Sequence, residues 1–478
     1  MRLYFFDDAR LRSVSGFTPV PGPVEKLGPV GGTETPDPRW SFDPFSGSLL
    51  PLGGGAWRAY VTAFGRSRIE ESRPCVFESP DGLRWERGRI LQLGNLPQDF
   101  AGWMKQPSVV RLGDGSLRMY LWLHGTRGKQ TICRLCTAAS GDGQSFAIED
   151  FDKPVLYHPS ELGPRGWETG WVPTADQFDP RWRSGSADEL RRLKRTRSND
   201  STYVYREADT GRFIIYGVTF LPNPPGSPRR EERDNVPSMV RVIARRESAD
   251  GYEFSDPEII LMPDAGDPLD QQFYYLAVHR QDDWHIGLLG DFEAVDQTQD
   301  LNIVVSRDGH SWTRPTRSPF IPRVEAEPDG MNVYAINSLI DAGDDWLLIY
   351  RGGYRPHNDA EIRSDISSTM RMARFGKRRF VGLDTAGNRD ARLVTGGFVL
   401  TCPEITLDAE IRGKLRAELC DAFGNPVPGF RREDFLPVTG DSRRHVLRWN
   451  GKSAAPYQFD PVSLRIEATD STLYALEV

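Results

Sequence analysis

Five acids stand just ahead of five segments that read as the innermost strands of a repeated unit: Asp43, Asp99, Asp200, Asp270 and Asp329. Carboxyl groups so placed can do chemistry when several face one cleft. Two of them can divide the work of breaking a glycosidic bond, one protonated to assist the leaving group and one ionised as base or nucleophile. Crowding of like charges raises some of the pKa values, so that one acid stays protonated near neutral pH. Glu327 and Asp329 in "EAEPDGMNVY", Arg351 in "DWLLIYRGG" and His357 in "YRGGYRPH" suit sugar hydroxyls or a cation. Trp103, Trp171 and Tyr274 offer flat faces on which sugar rings can stack. Each residue also has a plain structural use: an acid caps a turn, a histidine ends a strand and an aromatic fills a core.

The elements that position these residues show themselves through repetition. The pattern S-x-D-G-x-x-[WF] occurs as "SPDGLRW", "SGDGQSF", "SADGYEF" and "SRDGHSW", with its acids at Asp81, Asp142, Asp250 and Asp308. Within each successive pair the acids lie about sixty positions apart, the spacing of a repeat architecture. The wider gap between the pairs marks an insertion, placed at 157–200, which carries the basic run "ELRRLKRTR". In each copy the Asp accepts backbone N–H groups to close a turn, and the Gly supplies a positive φ. The aromatic residue then packs over the hairpin. "SRDGHSW" is therefore a folding device, and His310 is an exposed turn residue. Similar turns, called Asp boxes, recur in sialidases and other propellers, on the outside of blades.

A second pattern alternates with the first, a tight polar turn feeding a strand of aromatic and branched residues. Its copies are "GGGAWRAYVTAF", "GDGSLRMYLWLH", "DTGRFIIYGVTF", "QDDWHIGLLG" and "AGDDWLLIYRGG". A hairpin, a linker and a second turn with an aromatic plug amount to about four strands per unit, and five such units describe a five-bladed β-propeller. The fold class is all-β. The propeller is placed at 36–388, after an N-terminal arm at 1–35. From 389 to 478 the pattern changes to the shorter alternating strands of a β-sandwich. The opening strand "RLYFFDD" either joins that sandwich or closes a blade.

Composition narrows the classes of function. The chain has 478 residues with a formal net charge of -7, which gives no reason to expect nucleic acid or an anionic membrane as partner. No run is long and apolar enough to span a bilayer, and the start of the chain lacks the apolar core of a signal peptide, so the expected location is the cytoplasm. Five cysteines do not make a disulfide framework, and "CRLC" (Cys133, Cys136) reads as two ordinary thiols. No cofactor and no metal ligand set is expected. The pattern leaves room for a structural or funnel cation such as calcium, and for a homo-oligomer.

"LYFFDD", "GGAWRAY", "SRDGHSWTRP", "DWLLIYRGG" and the tail "LRAELCDAFGNPVPGF…VLRWNG…VSLRIEATDSTLYALEV" extend over nearly the whole chain. Together they resemble bacterial proteins similar to the N-terminal domain of glycoside hydrolase family 32, a group related to families 43 and 68. The resemblance implies a five-bladed propeller with a β-sandwich, and a carbohydrate substrate cleaved at a glycosidic bond, often of a furanoside. It also implies that acids of the first three blades act as base or nucleophile, transition-state stabiliser and general acid. By position these are Asp43, Asp99, and Asp200 or Glu168. The chain departs from the pattern in two places. The "NDPNG" motif is absent, and Gln272-Phe273-Tyr274 stands where relatives carry Asp-Phe-Tyr, with Asp270 two residues earlier. These departures sustain the alternative of a non-catalytic carbohydrate-binding propeller. A sialidase, with six blades, fits the five hairpins less well.

Overall fold

A computed structural model describes residues 1–31, 40–65, 69–158, 161, 201–222, 239–324, 327, 329–357, 369–386 and 390–478. The described residues are almost entirely β-strand and turn. They divide into two compact units, one of Met1–Val24, Arg314–Phe320 and Phe375–Val478, the other of Glu25–Thr313 and Ile321–Arg374.

The second unit is built from antiparallel meanders. Trp40–Gly53, Ala56–Gly65, Arg73–Ser79 and Arg89–Ile90 pair in sequence as one four-stranded sheet. Phe100–Arg111, Leu117–Arg127 and Gln130–Ser140 begin the next, which Phe146–Ile148 and Leu156–Tyr157 extend. Thr202–Arg206, Phe213–Pro222, Met239–Ser248 and Glu258–Leu261 form a third. Gln271–Gln281, Trp284–Glu293 and Thr298–Ser306 start a longer sheet. A single parallel pair, Gln299 with Asn332, carries that sheet on through Asn332–Ala335, Asp345–Gly353 and Thr369–Gly376 to Val24–Pro29.

The strands that open these sets are tied to one another. The Val109 N–H donates to Ser48 Oγ at 2.7 Å, and the Val204 N–H to Ser108 Oγ at 2.8 Å. The Val278 N–H donates to the Tyr205 hydroxyl at 2.7 Å, and the Tyr275 hydroxyl to the Val333 carbonyl at 3.1 Å. The Leu49 N–H returns to Asn337 Oδ1 at 2.9 Å. These hydroxyls and amides satisfy buried backbone groups that no ladder serves.

The four S-x-D-G turns share one geometry. In each, the Ser hydroxyl accepts the Gly N–H and the Asp carboxylate accepts the next two N–H groups. Gly309 sits at φ 74°, where a side chain would be strained. Trp312 Nε1 closes the turn on the Gly309 carbonyl at 3.1 Å.

The turns also join sheets, a role that the strand sequences hide. The Tyr60 hydroxyl donates to the Gly143 carbonyl at 2.7 Å, that of Tyr120 to Gly251 at 2.8 Å, and that of Tyr216 to Gly309 at 3.4 Å. Each tyrosine belongs to the sheet before the turn it holds. Gly82 of the first turn lies against Ile340, close enough that a Cβ would meet it at 2.5 Å. Burial pushes the Tyr60 and Tyr216 hydroxyls up to about 12, so both stay protonated donors.

Partial burial works against the Asp308 charge, yet the N–H groups of Ser311 and His310 hold its carboxyl down at about 2. A depressed carboxyl pKa adds stability above the unfolded value near 4, and that stability is lost as pH falls through about 2. Asp308→Ala should therefore lower stability by about 1 kcal/mol at neutral pH. Urea midpoints of the two proteins should converge as pH approaches 2, and a constant gap would count against the turn as its source.

In the other unit, the long strands Thr406–Asp421 and Pro461–Glu477 pair along most of their length. Ala391–Thr395, Val381–Asp384 and Arg2–Tyr4 also lie along Pro461–Glu477, and Gly440–Val446 lies along Thr406–Asp421. One face is apolar and packs Leu415, Leu419, Leu464, Ile466 and Leu393 with Trp449, whose indole N–H donates to the Ala417 carbonyl at 2.9 Å. The opposite face is polar.

Candidate functional site

The opening strands of the meanders are not regular, and their irregularities fall where polar side chains must project. The register shifts between Asp43 and Ser48, between Lys105 and Ser108, and between Phe273 and Tyr275. A bulge bends a strand and re-aims a side chain, and bulges gather beside active sites. Ser46 and Gln106 take positive φ values of 53° and 59° at the first two, conformations that are uncommon outside glycine. Pro44 and Pro107 fit there because neither has an N–H to lose from the ladder.

Asp43 is the buried centre of the site, with its side chain 3% exposed. Oδ1 accepts the Phe45 N–H at 2.9 Å, and Oδ2 accepts Arg351 Nη1 at 2.6 Å. Burial works against the Arg351 charge, yet the facing Asp43 carboxylate raises its pKa above the usual guanidinium range. The same guanidinium lies 4.3 Å from the centre of the Tyr334 ring.

From Tyr334 the cluster passes to His357. The Tyr334 hydroxyl meets Nδ1 at 2.7 Å and the Tyr274 hydroxyl meets Nε2 at 2.8 Å. A neutral imidazole donates from one nitrogen and accepts at the other, so either tautomer suits both tyrosines. The His357 backbone is fixed by its N–H on the Gln297 carbonyl at 2.7 Å. Phe45 forms an aromatic bed beneath, with ring centres 5.1 Å from Tyr334 and 6.0 Å from Tyr274.

Asp43, Tyr274, Arg351 and His357 therefore come together, from segments far apart in the sequence. Asp329 is also buried but serves the packing of the last set of strands. Its Oδ2 accepts the Tyr350 hydroxyl at 2.9 Å and pairs with Lys26 Nζ at 3.1 Å, against Gly352. Asp99 faces Arg127, which binds both its oxygens at 3.1 Å, and its side chain is 60% exposed. Asp270 Oδ2 accepts the Val295 N–H at 3.1 Å as a strand cap. Trp103 stacks on His124, with ring centres 4.1 Å apart, which closes that face of its ring to a sugar. Asp200, Glu168 and Trp171 lie outside the described residues.

Four residues of the site escape sequence reasoning: Phe45, Tyr334, Arg241 and Gln106. Arg241 is fully buried, and its guanidinium lies 5.2 Å from the ring centre of Tyr274 while Nη1 donates to Gln272 Oε1 at 2.9 Å. Gln272, the departure noted in the sequence, thus serves as an anchor for this cation. The Gln106 N–H donates to Thr62 Oγ1 at 2.8 Å, and Thr62 is the cross-strand partner of Asp43. "FDPF" and "KQPS" share a proline one residue after a polar side chain, and that was the available signal.

No family model matches the chain, and no curated protein matches it. Among solved structures it is similar to one described as a glycoside hydrolase, at 15% identity and a TM-score of 0.49 over 74% of this chain and 92% of that one. It is similar to the catalytic domain of a GH62 α-L-arabinofuranosidase from Coprinopsis cinerea, at 10% identity and a TM-score of 0.46 over 74% and 97%. A third is a β-1,2-mannobiose phosphorylase from Listeria innocua in complex with β-1,2-mannobiose, at 10% and 0.44 over 74% and 96%. At this distance the functional reading rests on the chain's own residues.

Among the described residues no three His, Cys, Asp or Glu side chains gather as metal ligands. Cys133 and Cys136, three apart on one strand, point to opposite faces. No helix among the described residues is long and apolar enough to cross a membrane.

Proposed function

We propose that the chain cleaves glycosidic bonds, possessing a five-bladed β-propeller over 36–388 and a β-sandwich over 389–478. The propeller reading is supported by the ties from each opening strand to the next and from Asn337 back to Leu49. Three of the four Asp-box turns, each held by a tyrosine of the preceding sheet, support it as well.

One observation carries the functional reading: the buried Asp43 carboxylate, fixed by Phe45 and Arg351, at the point where aromatic and histidine side chains of other sheets converge. A carboxylate so held is oriented as base or nucleophile, while Arg351 and His357, the half-buried members of the cluster, suit sugar hydroxyls. The general acid is Asp200 or Glu168. Asp200 is favoured because it precedes Ser201–Thr202, and the Thr202 N–H bonds Ser46 Oγ, beside the Asp43 turn, at 3.1 Å. Furanosides are the substrates to try first, on the strength of the family resemblance.

Wild type, Asp200→Asn and Glu168→Gln should be assayed on aryl furanosides and pyranosides. The variant lacking the acid should lose about 10²–10⁴-fold on phenyl glycosides and far less on dinitrophenyl glycosides, whose leaving group needs no proton. Equal losses on both, or none, would reject these acids.

Gln106 favours a second reading, a carbohydrate-binding propeller without turnover. The second sheet brings the backbone of an uncharged residue, Gln106, to Thr62, the cross-strand partner of Asp43, while Asp99 is turned to Arg127. Wild type that binds sugars yet turns over none of the panel would establish it.

A further inference from the structure

The polar face of the C-terminal sheet carries a groove of about 540 Å³, within the range of ligand sites. Its lining holds five arginines and three glutamates and no aromatic side chain. The three glutamates are all taken. Glu418 pairs with Arg465 at 3.0 Å, Glu467 with Arg432 at 3.3 Å and Arg392 at 3.4 Å, and Glu433 with Arg432 at 2.9 Å. The guanidinium groups of Arg416 and Arg431 are left, among the described residues, without an ion pair. Arg416 is held at its place by the ladder, opposite Glu467.

We propose that this groove binds an oligosaccharide bearing isolated carboxylates, a uronate type of glycan, with Arg416 and Arg431 as its anion receptors. A planar guanidinium matches a carboxylate in bidentate fashion. The glutamates decide among anions. A dense polyanion such as a phosphate backbone would be repelled by three carboxylates in the lining. A hydroxyl-rich chain with spaced charges can donate to them. Phe423, 87% exposed in the turn whose Gly424 carbonyl accepts Arg465 Nη2 at 2.6 Å, adds a free ring at the rim for a sugar face. The proposal does not depend on the cleavage reading.

Calorimetric titration of the full chain with a short oligogalacturonate tests it, with a neutral galactan oligomer and heparin as comparators. Wild type should bind the uronate, more weakly as salt rises. Arg416→Ala/Arg431→Ala, both changes at exposed positions, should weaken binding at least about 10-fold. Asp43→Asn should bind as wild type does, so a failure of the cleavage reading leaves this signal in place. No binding by wild type, equal binding of the neutral oligomer, tighter binding of heparin, or an unaffected double variant would each overturn the proposal.

Discussion

Asp43→Asn should lower kcat on the best aryl glycoside by about 10³-fold, within the range for a positioned acid or base. The amide keeps the shape of the carboxylate but has one acceptor oxygen where two are in use. Oδ1 accepts Phe45 and Oδ2 accepts Arg351, so one donor must face an NH₂ group. The unmatched donor costs about 1–3 kcal/mol. That loss is separable from the chemistry, because KM should change little if His357, the half-buried histidine of the cluster, still receives the sugar. Steady-state kinetics beside a thermal melt will distinguish them. Turnover within 10-fold of wild type in a folded Asp43→Asn protein would remove Asp43 from the reaction.

The repeated turns were legible in the sequence because each is a local device. Ser306, Asp308, Gly309 and Trp312 are joined by one chain of hydrogen bonds within seven residues. The partners of those turns were not legible. Tyr60, Tyr120 and Tyr216 look like ordinary strand aromatics, and only the packing of one sheet on the next gives their hydroxyls a purpose. The same contrast holds at the site. Asp43, Tyr274, Arg351 and His357 could each be named from strand ends and residue type. Their meeting could not, since Asp43 and Arg351 bond across 308 positions.

Asp99 shows why a strand start is a poor guide to the side chain that reaches a site. It stands one residue ahead of Phe100–Arg111 and is drawn to Arg127 at the rim. The bulge between Lys105 and Ser108 lies farther along, and a shift of one residue exchanges the two faces of a strand. The residue whose backbone reaches Thr62, the cross-strand partner of Asp43, is consequently Gln106, which an alternation count cannot assign to a face.

Arg351→Met should destabilise the protein by about 3 kcal/mol, the low end for breaking a buried ion pair, because the Arg351 side chain is 21% exposed. The size of the effect comes from what is left behind. Asp43 stays buried, 3% exposed, with its charge unanswered on Oδ2. If that is the cause, neutralising the acid must give stability back. Asp43→Asn/Arg351→Met should then be more stable than Arg351→Met alone, with a coupling of about 1–3 kcal/mol in a double-mutant cycle. A loss arising from the stacking of Arg351 on Tyr334 would add to that of Asp43→Asn instead. Urea midpoints at constant m-value measure all four proteins. Additive losses would show that the ring contact holds Arg351, and that Asp43 needs no cation to stay buried.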